Sequence, residues 1–279
     1  MCATCGCGEE DAKATVINMQ TGKHVHVHAD HIHQHSHEHS HEHSHDHTHE
    51  HSHNHSHEHE HAHQGSRTIT LEEKILAKND RLAERNRGYF EALNVLAINL
   101  VSAPGSGKTT LLERTINDLK SQMQFSVIEG DQATVNDAER IKTTGVKVVQ
   151  INTGAGCHLD AEMLAGGLKQ LDPQKNSIVM IENVGNLVCP ALFDLGEKCK
   201  VAVLSVTEGE DKPIKYPHMF RAAEVLLLNK VDLLPYLEFD MEACKKYALS
   251  VNPGLKIIEI SATKGNGLSV WYQWLKDNL

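Results

Sequence analysis

Apolar residues become regular only from about Leu71 in this 279-residue chain. Leu71, Ile75, Leu82 and Phe90 stand among many charges, which predicts one amphipathic helix over 71–93. From Val95 onward, short apolar runs alternate with amphipathic stretches. The runs at 95–101 (VLAINLV), 125–130 (FSVIEG), 146–151 (VKVVQI), 177–182 (SIVMIE), 201–206 (VAVLSV), 224–229 (EVLLLN) and 256–260 (KIIEI) predict strands. Most are continuous rather than alternating, as in parallel strands covered on both faces. The expected fold is α/β, a mainly parallel sheet flanked by helices.

The first 66 residues are a different kind of sequence. Residues 1–10 carry a cysteine cluster. Residues 11–66 are polar and repetitive, and hold 20 of the 22 histidines between His24 and His63. Such a segment has too little to bury and is expected to be a disordered arm. Residues 67–279 form the expected globular domain, long enough for a proper core. No run of about 18 apolar residues and no secretory signal is present, so neither a membrane span nor export is expected. A net charge of −10 argues against nucleic acid as a partner. Seven cysteines, three of them crowded at positions 2, 5 and 7, suggest metal or redox chemistry in the cytoplasm rather than a disulfide framework.

The first strand runs into Ser102-Ala-Pro-Gly-Ser-Gly-Lys-Thr-Thr110 and then a helix. Gly105, Ser106 and Gly107 let backbone N–H groups approach phosphates, and the helix N-terminus adds its dipole. Lys108 would reach the β- and γ-phosphates, Thr109 would bind Mg²⁺, and Thr110 completes the loop. The loop opens with Ser102 where the general pattern has glycine. Asn229-Lys230-Val-Asp232 follows a buried strand. A carboxylate there accepts both adjacent donors of guanine, which adenine does not offer, so GTP and GDP are the expected nucleotides. Ser261-Ala262 fits the loop that closes over the base. Glu182, at the end of the strand at 177–182, stands where an acid serves Mg²⁺, with Gly185 toward the γ-phosphate. Asp131 and Asp137 are both candidates to orient the attacking water or to hold the metal's water shell.

Cys157 and His158 adjoin in GAGCHLDAEM, and Cys189 lies seven residues beyond Glu182. Two thiols and an imidazole are a borderline-soft set suited to Ni²⁺ or Zn²⁺, with room for water or a second subunit to complete the shell. Cys2, Cys5 and Cys7, with the α-amine, form a second candidate site. Cys199 and Cys244 have no soft partners nearby and are expected in the core. The arm's imidazoles, mostly neutral at pH 7, could hold further ions or serve only for solubility.

Together the motifs CxxCGC, the histidine arm, SAPGSGKTTLL, GDQATVNDAERI, NTGAGCHLDA, ENVGNLVCP and NKVDLLPYL resemble the hydrogenase nickel-incorporation GTPases of the HypB family. The likeness covers nearly the whole chain, and Ser102 and Glu182 are in keeping with it. It implies a GTPase that dimerises with GTP bound and delivers Ni²⁺ to the [NiFe]-hydrogenase large subunit, working with a zinc-containing HypA-like partner. It carries the family's metal ligands onto Cys157, His158 and Cys189, its tight nickel site onto Cys2, Cys5 and Cys7, and its dimer contact onto Leu233 and Leu237. Two alternatives stay open: a nickel or zinc storage buffer, and a GTPase chaperone for another metalloenzyme such as urease.

Overall fold

The computed structural model describes residues 14–27, 32–34, 64–132 and 135–279. Ten strands make one sheet: β1 Ala14–Asn18, β2 His24–Val27, β3 Ile32–Gln34, β4 Leu96–Ser102, β5 Phe125–Asp131, β6 Lys147–Asn152, β7 Ile178–Glu182, β8 Cys199–Ser205, β9 Ala223–Asn229 and β10 Lys256–Glu259. Their order is β10-β9-β8-β4-β7-β5-β6-β1-β2-β3. The seven strands from β4 to β10 are parallel, and each lies within a residue or two of its predicted run.

The helices are α1 Gln64–Leu93, α2 Lys108–Leu119, α3 Asn136–Lys142, α4 Ala161–Leu171, α5 Cys189–Leu192, α6 Lys212–Lys215, α7 Pro217–Ala222, α8 Met241–Val251 and α9 Leu268–Asp277. They cover both faces. Leu96, Ile98 and Leu100 pack toward Leu112, Ile116 and Trp271 of α2 and α9. The alternate residue Ala97 faces the other way, into a core with Phe90 of α1 and Leu164 and Leu168 of α4. Burial on both faces is why these strands read as continuous apolar runs.

The start of the polar arm departs from expectation. Ala14–Asn18 is a strand, antiparallel to β6 with Val16 opposite Ile151, and β2 pairs antiparallel with β1. Ala14, Val16, Val25 and Val27 are buried. At Gly166 of α4 an added Cβ would lie 2.9 Å from a Val27 methyl, so a side chain there would push the hairpin away. Each buried valine contributes about 1.5–3 kcal/mol. The apolar alternation is only a few residues long, and the histidine-rich composition around it hides it. Helix α1 also begins at Gln64, inside the expected arm. The tail cysteines and the histidines from 35 to 63 lie outside the described residues.

Strand β4 sits between β7 and β8, where the chain's progression across the sheet reverses. In open parallel sheets a crevice opens at this point, beyond the carboxyl ends of the strands. The loop after Ser102 starts there.

Candidate functional site

The loop Ala103–Gly107 leads directly into α2. Gly105 and Gly107 adopt φ +76° and +95°. A Cβ on Gly107 would come 2.6 Å from Asn229 Nδ2, so both backbone conformation and space require glycine. Ser106 Oγ donates to Ser102 Oγ at 2.7 Å, and Lys108 Nζ donates to the same oxygen at 2.8 Å. The hydroxyl at 102, where the general pattern has glycine, thus holds the lysine from below. Burial pulls the Lys108 ammonium down, while Glu182 and then Asp137 oppose the shift.

Thr109 Oγ1 donates to Glu182 Oε1 at 2.7 Å. The second oxygen of Glu182 is buried without a hydrogen-bond partner, and burial raises this carboxyl against the pull of Lys108. A hydroxyl and a buried carboxylate oxygen side by side fit a hard divalent cation such as Mg²⁺. Gly185 passes close enough to the loop that a Cβ would meet Pro104 at 3.1 Å.

The turn that follows β9 leans on the glycine-rich loop. Asn229 Nδ2 donates to Ser106 O at 2.9 Å, while its Oδ1 accepts from Ala262 N at 3.1 Å. Lys230, at φ +64°, reaches Gly105 O with Nζ at 2.7 Å. Asp232 Oδ1 is buried and unpartnered, which fits a carboxylate meant for an N–H pair. Ser261 and its sequence neighbour Ala262 are both buried.

Asp131 ends β5, and its carboxylate accepts from Gln132 N at 2.7 Å. Asp137 stands in the first turn of α3, paired with Arg140 at 3.2 Å. Arg140 also reaches Glu113 and Thr110 of α2.

Glu129 belongs to none of the sequence motifs. It is the cross-strand partner of Glu182, is buried, and has an unpartnered Oε2. Burial, followed by the charges of Glu182, Asp131 and Asp137, pushes its carboxyl up to about 9. The available signal was a lone acid in the apolar run FSVIEG.

The metal candidates converge. Cys157 Sγ lies 3.0 Å from Cys189 Sγ and 3.7 Å from His158 Nδ1. One ligand atom from each residue falls within 4.8 Å of the others. Two sulfurs bound to one ion at about 2.3 Å stand roughly 3.3–3.8 Å apart, so a small adjustment seats a metal. His158 stacks on Phe193 with centroids 3.9 Å apart, and burial pushes its imidazole down to about 4. The ring is therefore neutral near pH 7 and has a lone pair to give. Cys199 and Cys244, buried in the core as expected, have thiols pushed up to about 12.

A polar chain joins the two centres. Asn183, next to Glu182, accepts Leu159 N at 3.1 Å and donates to Asn99 Oδ1 at 3.2 Å. Leu159 directly follows His158. Leu233 is half-buried in the short turn Val231–Tyr236, while Tyr236 and Leu237 are 82% and 39% exposed.

A glycine-rich loop, the buried acid Glu182 and the turn at residues 229–232 therefore gather at one end of a parallel sheet, as in P-loop nucleotide hydrolases. Residues 96–259 match the family model described as CobW/HypB/UreG, nucleotide-binding domain. The hydrogenase maturation factor HypB of Escherichia coli K12 is 62% identical over 210 residues, covering 75% of this chain and 72% of that protein. The crystal structure of HypB from Archaeoglobus fulgidus aligns with TM-score 0.68 and 42% identity, over 72% of this chain and 98% of that one. That of HypB from Helicobacter pylori in complex with nickel aligns with TM-score 0.69 and 36% identity, over 72% and 94%. The chain belongs to the HypB family of hydrogenase maturation factors. Among the described residues no helix is long and apolar enough to cross a membrane.

Proposed function

We propose that this chain is a GTP-hydrolysing nickel chaperone acting in the cytoplasm during [NiFe]-hydrogenase maturation. The observation that carries the reading is one short segment with both chemistries on it. Glu182 at its start meets Thr109, Gly185 abuts Pro104, and Cys189 at its end meets Cys157.

In this reading the loop amides and Lys108 hold the β- and γ-phosphates, and Asp232 accepts the paired guanine donors. Thr109 and Glu182 would hold Mg²⁺, which supplies neutralisation of charge on the phosphates. Asp131 or Asp137 orients the attacking water. Cys157, His158 and Cys189 hold Ni²⁺ as cargo, and accept Zn²⁺ with the same donor set. Cys2, Cys5 and Cys7 hold nickel on the tail. With GTP and Mg²⁺ bound, Glu182 and Gly185 rearrange around the phosphates, which moves Cys189 relative to Cys157. The exposed turn at Leu233 and Leu237 joins two copies in the GTP state. The partners of this cycle are a HypA-like zinc protein and the hydrogenase large subunit.

The test is nickel titration of the full chain with Cys2, Cys5 and Cys7 replaced by serine, followed through thiolate-to-nickel absorption. It is run with GDP and then with a non-hydrolysable GTP analogue. Affinity that differs between the two, with thiolate absorption abolished by Cys157→Ala, supports the reading. The nucleotide affinity must then change with nickel by the same factor. Equal nickel affinity in both states overturns the coupling.

A further inference from the structure

Two buried asparagines on α1 lie behind the metal cluster, and neither nucleotide binding nor metal ligation uses them. Asn79 and Asn86 are 5% and 3% exposed. Seven residues apart, they lie two turns apart on one face of the helix. Both point at the same pair of chain segments. One segment carries Cys157 and His158 and ends at Ala161. The other begins at Cys189 and reaches Asp194 and Leu195.

Each asparagine bonds to both segments. Asn79 Oδ1 accepts Ala161 N at 2.9 Å, and its Nδ2 donates to Asp194 O at 2.7 Å. Asn86 Nδ2 donates to Ala161 O at 2.9 Å and to Leu195 O at 3.0 Å. Both backbone polar groups of Ala161, four residues after Cys157, therefore end on α1. A carboxamide suits this arrangement because it offers two donors and one acceptor in a plane. Aspartate lacks the donors and leucine lacks everything.

The neighbouring contacts hold the second segment just as closely. Arg87 donates to Glu197 O at 3.0 Å and pairs with Asp194. Gly196, at φ +87°, presses onto the helix, so that a Cβ there would fall 2.3 Å from Ala83 O. Ala83 itself is fully buried. The stripe Asn79, Ala83, Asn86 and Arg87 is a docking surface for these two segments.

We propose that Asn79 and Asn86 are positioning residues for the interior metal site, setting the separation of Cys157 and His158 from Cys189. The proposal rests on the reading that these three residues hold a metal. Groups that orient metal ligands from behind typically change affinity about 10–100-fold when removed. By bonding both ligand-bearing segments, α1 sets the resting separation of the thiols from which GTP would shift Cys189.

The experiment uses the full chain with Cys2, Cys5 and Cys7 replaced by serine, titrated with Ni²⁺ and followed through thiolate-to-nickel absorption. Asn79→Asp keeps the acceptor for Ala161 N and loses the donor to Asp194 O; Asn86→Ala loses both bridges. The expected result is nickel affinity lower by about 10–100-fold in each, with the absorption band altered at saturation and guanine-nucleotide affinity unchanged. Variants that bind nickel like the parent, with the same band, overturn the proposal. Nucleotide affinity falling in step with nickel affinity in both variants indicates general loosening and also overturns it. A parent whose thiolate absorption survives Cys157→Ala defeats the underlying metal-site reading instead, and the proposal falls with it.

Discussion

Asn183 accepts the backbone N–H of Leu159 at 3.1 Å, tying the residue after Glu182 to the residue after His158. The bond is buried and leaves little slack between the two centres. Asn183→Ala strands the Leu159 N–H and should lower stability by about 1–3 kcal/mol. It should also shrink the effect of nickel on GTP affinity. Urea denaturation checks the first, and GTP titration with and without nickel checks the second. An unchanged nickel effect would show that coupling runs elsewhere.

Glu129 gives a pH prediction. Its folded-state carboxyl, at about 9, lies far above the ordinary carboxylate range. Its contribution to stability is fully present at acid pH, below the unfolded value of about 4.3. As pH rises from there toward about 9, the unfolded chain releases a proton that the folded chain keeps, and stability is lost. Glu129→Gln removes that loss. The variant should come closest to the parent below about pH 4, and should exceed it at pH 8 by about 1 kcal/mol or more. Urea denaturation of both proteins at the two pH values decides the matter, and a constant difference would argue against the buried acid.

In the proposed function, base choice falls to Asp232. Its Oδ1 is buried and unpartnered. Asp232→Asn exchanges an acceptor for a donor, which suits the 2-carbonyl of xanthine better than the 2-amino group of guanine. GTP affinity should fall about 10–100-fold while xanthosine triphosphate gains, as judged by competition binding. Unchanged GTP preference would remove the aspartate from base recognition.

Leu237 and Tyr236 stand out from the turn after the base motif. Leu237→Glu places a charge where an apolar contact between copies is proposed. Sedimentation with a GTP analogue should then show monomer where the parent shows dimer. A variant that still dimerises moves the interface to another face.

Much of this was legible in the chain. β4 to β10 announced themselves because burial on both faces writes an unbroken apolar run. The glycine-rich loop between β4 and α2 was legible because its residues are contiguous, from Ser102 to Thr110. Cys157 and His158 stood out as neighbours, and Cys189 through its closeness to Glu182. Other features depend on partners far along the chain. Val16 in β1 faces Ile151, and only that distant strand gives its short run a place. Asn79 and Asn86 sit among charges in α1 and look like surface residues until Ala161 and Leu195 are brought to them. Glu129 was visible as a charge in an apolar run, but its pairing with Glu182 depends on strand order.

The hairpin of β1 and β2 bears on how the histidine-rich segment can be studied. It closes the edge of β6 and shields Gly166 of α4. A chain shortened to begin at residue 67 would leave a row of unpaired β6 amides and carbonyls open, beside a newly wetted apolar patch. Such an edge recruits other strands, so the shortened protein should tend to self-associate. Activity lost on truncation would then report a damaged sheet, not a missing nickel reserve. Replacing histidines between 35 and 63 while keeping residues 14–27 separates the two.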